Sequence, residues 1–339
     1  MQDKFNVILS FIHNRKSILP TNTLIDHVEK YLQDTSQKYV VILNTTDVNV
    51  MKQCVEMAKQ GKVDKFILVN SPTGFANNDI RYTCGMLFWL AKKTIFIQND
   101  YVLKPPSQCK SVPLKEFLDY RDESQYYYGF KYIITTLRDA HTYDHNTMMH
   151  VDWNALWYKP VQNPKPYSQR IDGIFYYGSF RKDRIEKFRK YFDTIEYSVI
   201  LSYPKNSTLA KREYSAMCPS AEVVDVGNAY ELLQNYKASI ILCDKKSSSQ
   251  YHCIPTRFWE CLSAHTAMFF DADMEFTLQN AQIKDYEKYI VHDDAELAAA
   301  LQQDLEKVAE EQFAMWHTIN KAEAEYNKFV QHMEKIEND

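Results

Sequence analysis

Residues Ile171–Asp193, IDGIFYYGSFRKDRIEKFRKYFD, join an apolar run to a basic amphipathic pattern through Gly178-Ser179. The run reads as a buried strand and the pattern as a helix. Glycine is scarce: the 339 residues hold 7, where average usage would give roughly three times more. Each glycine is therefore expected where a side chain would not fit. Gly178 falls between strand and helix, with Ser179, Arg181 and Arg184 following at once. A helix N-terminus offers free N–H groups and the positive end of a dipole, which suits phosphate. The two arginines add forked, permanently charged donors. Two readings fit the motif: a site for the diphosphate of a nucleotide, or an ordinary strand–helix corner with solvated arginines.

A second constellation starts at Asp244 and continues, after a polar loop, through Pro255-Thr256-Arg257-Phe258-Trp259-Glu260. Pro255 suits the first turn of a helix. Arg257 and Glu260 then share one helical face. A carboxylate there can accept hydrogen bonds from two vicinal ribose hydroxyls, and the arginine can reach phosphate. The plain alternative is an i,i+3 surface salt pair.

These residues need a scaffold, and the chain supplies an alternating one. Short apolar runs at Phe5–Phe11, Tyr39–Leu43, Phe66–Asn70, Thr94–Gln98 and Tyr132–Thr135 read as strands. Helical patterns at Asn22–Leu32, Val48–Gln60 and Asp79–Lys92 lie between them. This rhythm predicts a parallel sheet covered on both faces. The segment Lys159–Gln169, with three prolines, reads as an interdomain linker. The rhythm then restarts with strand Gly173–Tyr177, helix Lys182–Phe192, strands Ser198–Leu201 and Val223–Val226, and helix Ala229–Tyr236. Strand Ser239–Cys243, helix Thr256–Ala264 and strand Ala267–Phe270 follow, and Asp294–Asp339 is mostly helical. The expected domains are 1–160 (acceptor-binding), 170–310 (nucleotide-binding), and 311–339 as a helix returning to the N-terminal domain. In such sheets ligands bind beyond the carboxyl ends of the strands. No G-x-G-x-x-G follows the first strand and no G-x-x-x-x-G-K-[ST] occurs, which disfavours a dinucleotide dehydrogenase or a P-loop NTPase.

Bulk properties narrow the class further. A formal net charge of −4 means that any nucleic-acid contact must come from a local basic patch. No apolar run is long enough to span a bilayer, and MQDKFNVILSF lacks a signal-peptide pattern. The 7 cysteines (Cys54, Cys84, Cys109, Cys218, Cys243, Cys253 and Cys261) are odd in number and form no C-x-x-C pair. Free thiols in a reducing, cytoplasmic setting fit best.

YGSFRKDR at 177–184, paired with a later D…TRFWE, resembles the T-even phage DNA β-glucosyltransferases. That family reads approximately GGSFR…R at the first motif, and GDK followed by a T-x-R-x-W-E-like helix at the second. Here the second motif is CDK at Cys243–Lys245 with TRFWE at Thr256–Glu260. DKFILVNS at Asp64–Ser71 is similar to a family strand leading to a DNA-facing loop, and KKTIFIQND at Lys92–Asp100 to the strand carrying the catalytic aspartate. The resemblance covers most of the chain.

It implies the GT-B fold: two Rossmann-like doubly wound domains facing across a cleft, with a C-terminal helix packing back. It also implies inverting transfer of glucose from UDP-glucose onto the hydroxymethyl group of 5-hydroxymethylcytosine in duplex DNA. Carried over by motif, Gly178 and Ser179 supply the diphosphate turn, and Arg181, Arg184 and Arg257 neutralise the phosphates. Asp244 belongs to the same nucleotide-binding set, Glu260 holds the ribose hydroxyls, and Asp100 is the general base. A duplex base cannot reach a deep cleft unflipped. The loop Pro72–Asp79, with Gly74, Phe75, Asn77 and Asn78, is the candidate wedge. Mg or Mn would be bound through the diphosphate, without a dedicated protein site. A monomer in the cytoplasm of a phage host is the implied setting.

One departure bears on the donor. The family's sugar-contacting glutamate has no counterpart in Pro20-Thr21-Asn22-Thr23, and Asp26 lies one turn on. Another UDP-sugar such as UDP-arabinose, or a hydroxymethyluracil or pre-glycosylated acceptor, is thus an alternative. A non-catalytic DNA-binding or anti-restriction protein is a second, and a transferase for polysaccharide or protein a third. Three further signals carry less. Asp271-Ala272-Asp273 is a D-x-D tripeptide of the kind that binds metal elsewhere, His141, His145 and His150 include an i,i+4 pair, and RKDRIEKFRKYF offers a basic face to DNA.

Overall fold

The computed structural model describes residues 4–10, 20–45, 47–69, 93–98, 132–135, 147–153, 155–157, 161–177, 184–192, 198–204, 208–226, 232–242, 254–317 and 319–339. The expected helix Asp79–Lys92 lies outside them. The chain divides into two compact units, Met1–Trp157 with Glu323–Asp339, and Tyr158–Ala322.

Unit 1 opens with β1 (Phe5–Ser10), α1 (Pro20–Asp34), β2 (Tyr39–Ile42), α2 (Val48–Lys59) and β3 (Val63–Val69). Strands β4 (Lys93–Gln98), β5 (Tyr132–Thr135) and β6 (Thr147–His150) complete its sheet. The order is β2-β1-β3-β4-β5-β6 with every pair parallel. Its central strands are apolar on both faces: Ile8, Phe66, Ile67, Phe96 and Ile133 are all fully buried. β6 was not among the expected strands, because TMMH is short and sits in a histidine-rich stretch that reads as loop.

Unit 2 contains β7 (Ile171–Tyr177), α3 (Ile185–Phe192), β8 (Val199–Pro204), α4 (Thr208–Met217), β9 (Glu222–Val226) and β10 (Tyr236–Ile241). It continues through α5 (Thr256–Ser263), β11 (Ala267–Asp271), α6 (Glu275–Asn280), β12 (Ile290–Val291), α7 (Asp294–Leu301) and α8 (Leu305–Trp316). The last helix, α9 (Ile319–Asn338), starts in unit 2, and its residues from Glu323 onward belong to unit 1. The second sheet runs β12-β11-β10-β7-β8-β9, again all parallel. The chain order therefore reverses between β7 and β10, and ligands of doubly wound sheets bind beyond the carboxyl ends of strands at such a switch. Gly173 illustrates the tight packing: a Cβ there would lie 2.9 Å from the carbonyl oxygen of Ser198, the residue before β8.

Two sequence expectations change. Lys159–Gln169 is not a free linker in its described part. Tyr167 is buried, its hydroxyl donates to the Lys237 carbonyl, and Arg170 donates to the carbonyls of Lys165, Ala264 and His265. The prolines thus shape an ordered strap on unit 2. The expected helix over Ala229–Tyr236 is cut short, since Tyr236 already belongs to β10.

Within unit 1, the end of α9 is held by two lysines that are register partners on β3 and β4, Lys65 and Lys93. Lys93 donates to the carbonyls of Ile336 and Glu337, and Lys65 bonds the Glu337 carboxylate and Gln37. Cations suit the carbonyl-rich, negative end of a helix. Phe329, Met333 and Ile336 are fully buried on the same helix, and Glu325 accepts from the Asp152 amide at 2.8 Å.

The D-x-D tripeptide is a structural pair. Asp271 is fully buried at the end of β11, where it accepts from Lys187 and, at 2.9 Å, from the Tyr191 hydroxyl. Lys187 also reaches Asp273 at 2.8 Å and holds its carboxyl below the usual range. Lys187 is therefore tied inward and does not belong to a solvated basic face. Removing one partner of such a pair strands the other, so Asp271→Ala should cost about 3 kcal/mol or more. Chemical denaturation checks this, and an unchanged midpoint would show the pair to be dispensable.

Candidate functional site

Strand β7 ends in Tyr176 and Tyr177, beside the point where strand order reverses. Gly178 follows directly, and Asp244 comes two residues after Leu242, beyond β10. Helix α5 enters after Pro255, whose φ of −69° and extended ψ of 150° start the helix at Thr256. Its apolar residues Phe258, Trp259, Cys261 and Leu262 are buried, which fixes its rotation.

That rotation brings Arg257 over the Tyr176 ring at 4.5 Å and the Tyr177 ring at 4.8 Å from the ring centres. Cation–π contacts of this kind hold a guanidinium in place. The Nε of Arg257 is buried without a hydrogen-bond partner among the described residues, as is the Tyr177 hydroxyl. Arg184 is buried, and its Nη1 donates to the Tyr176 hydroxyl at 2.9 Å. Tyr176 is fully buried and packs edge-on against Phe188 of α3, with ring centres 5.0 Å apart. Phe188 in turn faces Tyr214 of α4 at 5.5 Å. Burial pushes the Tyr214 hydroxyl up, and both arginines pull it back down, so the two cations act on one small volume.

Glu260 lies one turn beyond Arg257. Burial alone raises its carboxyl from 4.5 to about 7. Arg257 makes no ion pair with it among the described residues, so the surface salt pair that the i,i+3 spacing allows is not formed. A half-buried cation and a desolvated carboxyl, one turn apart and not neutralising each other, can serve an anion and a hydroxyl donor separately. The neighbouring Cys261 thiol is pushed up to about 12 by burial and is no nucleophile.

The structure thus brings together Arg184, Arg257 and Glu260. Asp100, Gly74, Phe75, Asn77, Asn78, Gly178, Ser179, Arg181 and Asp244 lie outside the described residues. Of the histidine motif only His150 is described. Lys328 approaches its Nδ1 at 3.3 Å and His332 contacts its carbonyl at 3.2 Å. Among the described residues no three His, Cys, Asp or Glu side chains cluster to hold a metal. No helix among them is long and apolar enough to cross a membrane. Sequence reasoning missed Tyr176, Tyr177 and Tyr214. The available signal was the YY pair immediately before Gly178.

No protein-family model matches the chain, and no curated protein does. Solved structures do match. A T4 phage beta-glucosyltransferase in complex with its UDP-glucose substrate superposes with a TM-score of 0.62 at 18% identity, covering 98% of each chain. The T4 phage enzyme with UDP and Mn2+ gives 0.61 at 15% identity, over 98% of this chain and 99% of that one. An alpha-glucosyltransferase with UDP and a 13-mer DNA containing an HMU base gives 0.53 at 8% identity, over 97% and 100%. Over 98% of its length, the chain has the α/β fold of the T4 phage beta-glucosyltransferase structures.

Proposed function

We propose that this protein is an inverting glycosyltransferase that moves glucose from UDP-glucose onto the hydroxymethyl group of 5-hydroxymethylcytosine in duplex DNA. The observation that carries the reading is Arg257. It is held against two tyrosine rings with a buried, unpartnered Nε, one turn from a carboxyl raised to about 7. It stands beside the strand-order switch of a sheet whose fold is that of UDP-glucose-binding enzymes.

In this mechanism Arg257 and Arg184, with Arg181, neutralise the diphosphate as UDP leaves. Positive charge placed before the reaction stabilises the departing group without reorganisation. Gly178 and Ser179 let backbone amides approach the phosphates, and Glu260 accepts from the ribose hydroxyls in its ionised form. Asp100 takes the proton of the acceptor alcohol, which is a poor nucleophile until then. Attack from the face opposite the leaving UDP inverts the anomeric centre. With Asp271 and Asp273 committed to Lys187, a divalent ion would be held by diphosphate oxygens. Such an ion would supply further charge on the leaving group.

The loop Pro72–Asp79, after β3, is the wedge that fills the vacated base stack. Shortening it should cut glucosylation of duplex DNA by about tenfold or more while sparing a single strand, because only the duplex pays for unstacking. The assay compares hydroxymethylated duplex and single-stranded DNA. Equal losses on both would remove the wedge, and a wild-type protein that labels neither DNA would contradict the proposed activity.

A further inference from the structure

The phosphate-facing arginines come from different elements, yet both meet one side chain. Arg184 stands at the entry to α3 and Arg257 in the first turn of α5. The Tyr176 hydroxyl accepts from Arg184 Nη1 at 2.9 Å, while its ring carries the Arg257 guanidinium at 4.5 Å. One residue thus uses its polar tip for one cation and its π face for the other. Two guanidinium groups gathered on one side chain repel each other, so each gains from being fixed in place. Tyr176 is itself immobilised: it is fully buried in β7 and wedged edge-on by Phe188.

We propose that Tyr176 is a positioning residue that couples Arg184 and Arg257 into a single anion-binding unit. The inference rests on the reading of these arginines as diphosphate ligands. It adds that their geometry is set by β7, so the strand and both cations form one preorganised block. The coupling has a specific consequence. Tyr176→Phe keeps the ring under Arg257 but removes the hydroxyl to which Arg184 Nη1 donates, so the loss should fall on phosphate and not on the nucleoside.

The test is calorimetric titration of the full chain with inorganic pyrophosphate, UDP and uridine. Tyr176→Phe should weaken pyrophosphate and UDP by about tenfold, the value of one hydrogen bond to a charged group. Uridine affinity should not change. Tyr176→Phe added to Arg184→Lys should cost no more than Arg184→Lys alone, because Tyr176 acts on phosphate only through Arg184. Equal losses on uridine and pyrophosphate, or additive losses in the double variant, would overturn the assignment. So would a lowered melting midpoint with pyrophosphate affinity unchanged, which would place Tyr176 in the core only. If wild type binds pyrophosphate and Tyr176→Phe weakens it, but UDP binds no tighter than pyrophosphate, the nucleotide reading fails and the Tyr176 assignment stands. If wild type binds neither, both fail.

Discussion

Asp100→Ala should lower the rate of sugar transfer by about 10²–10⁴-fold, the usual contribution of a positioned general base. Affinity for UDP should stay unchanged, because in the proposed mechanism the residue acts on the acceptor and not on the donor. The proposed acceptor is a primary alcohol whose proton must leave as the new bond forms. Asp100 comes two residues after the end of β4, and carboxyl ends of parallel strands are where doubly wound folds put their reacting groups. The measurement is single-turnover transfer alongside a UDP titration. Undiminished transfer would move the base elsewhere, and a parallel loss of UDP affinity would make Asp100 a donor ligand.

Glu260→Gln should act in opposite directions on stability and binding. The folded-state carboxyl titrates near 7 against an ordinary 4.5, because burial disfavours its charge. The folded protein therefore binds more protons than the unfolded chain between those values, and stability falls as pH rises through that window. Below about pH 4.5 the group costs nothing, and above about 7 the cost is complete, on the order of 2–3 kcal/mol. The neutral amide removes this cost, so the variant should be more stable than wild type at pH 8 and equal to it near pH 4. Nucleotide binding should instead weaken by about tenfold or more, since an amide oxygen replaces a charged acceptor for two hydroxyls. In wild type, UDP affinity should rise from pH 5.5 to 7.5 as the carboxyl ionises. Melting midpoints that differ equally at pH 4 and pH 8 would contradict the burial argument.

Much of this was legible in the sequence because parallel strands announce themselves as continuous apolar runs. Tyr132–Thr135 was read to the residue, and β1, β2 and β4 within one residue at each end. Elements with mixed signals were not. The helix TLAKREYSAM carries a charged KRE triplet at its centre, and TMMH is a short strand in a histidine-rich stretch. The proline-rich strap looked unstructured because its anchors, Tyr167 and Arg170, bond to carbonyls far along the chain. Long-range pairing also hid the fate of Asp271, whose cation comes from 84 residues upstream. At the site, Pro255, Arg257 and Glu260 were visible through helix-start chemistry and spacing. The role of Tyr176 was not, since nothing local distinguishes a core tyrosine from one that supports two arginines.

The central claim is most directly tested by mass spectrometry of nucleosides after incubating the protein with 5-hydroxymethylcytosine duplex DNA and a panel of UDP-sugars. Unmodified DNA and the Asp100→Ala variant are the controls. A hexose-sized gain on hydroxymethylcytosine is expected with UDP-glucose, absent from both controls. No mass gain with any sugar, or UDP release without a modified nucleoside, would contradict it. A gain of pentose size from UDP-arabinose would keep the reaction but correct the donor, in line with the absence of a carboxylate from Pro20-Thr21-Asn22-Thr23.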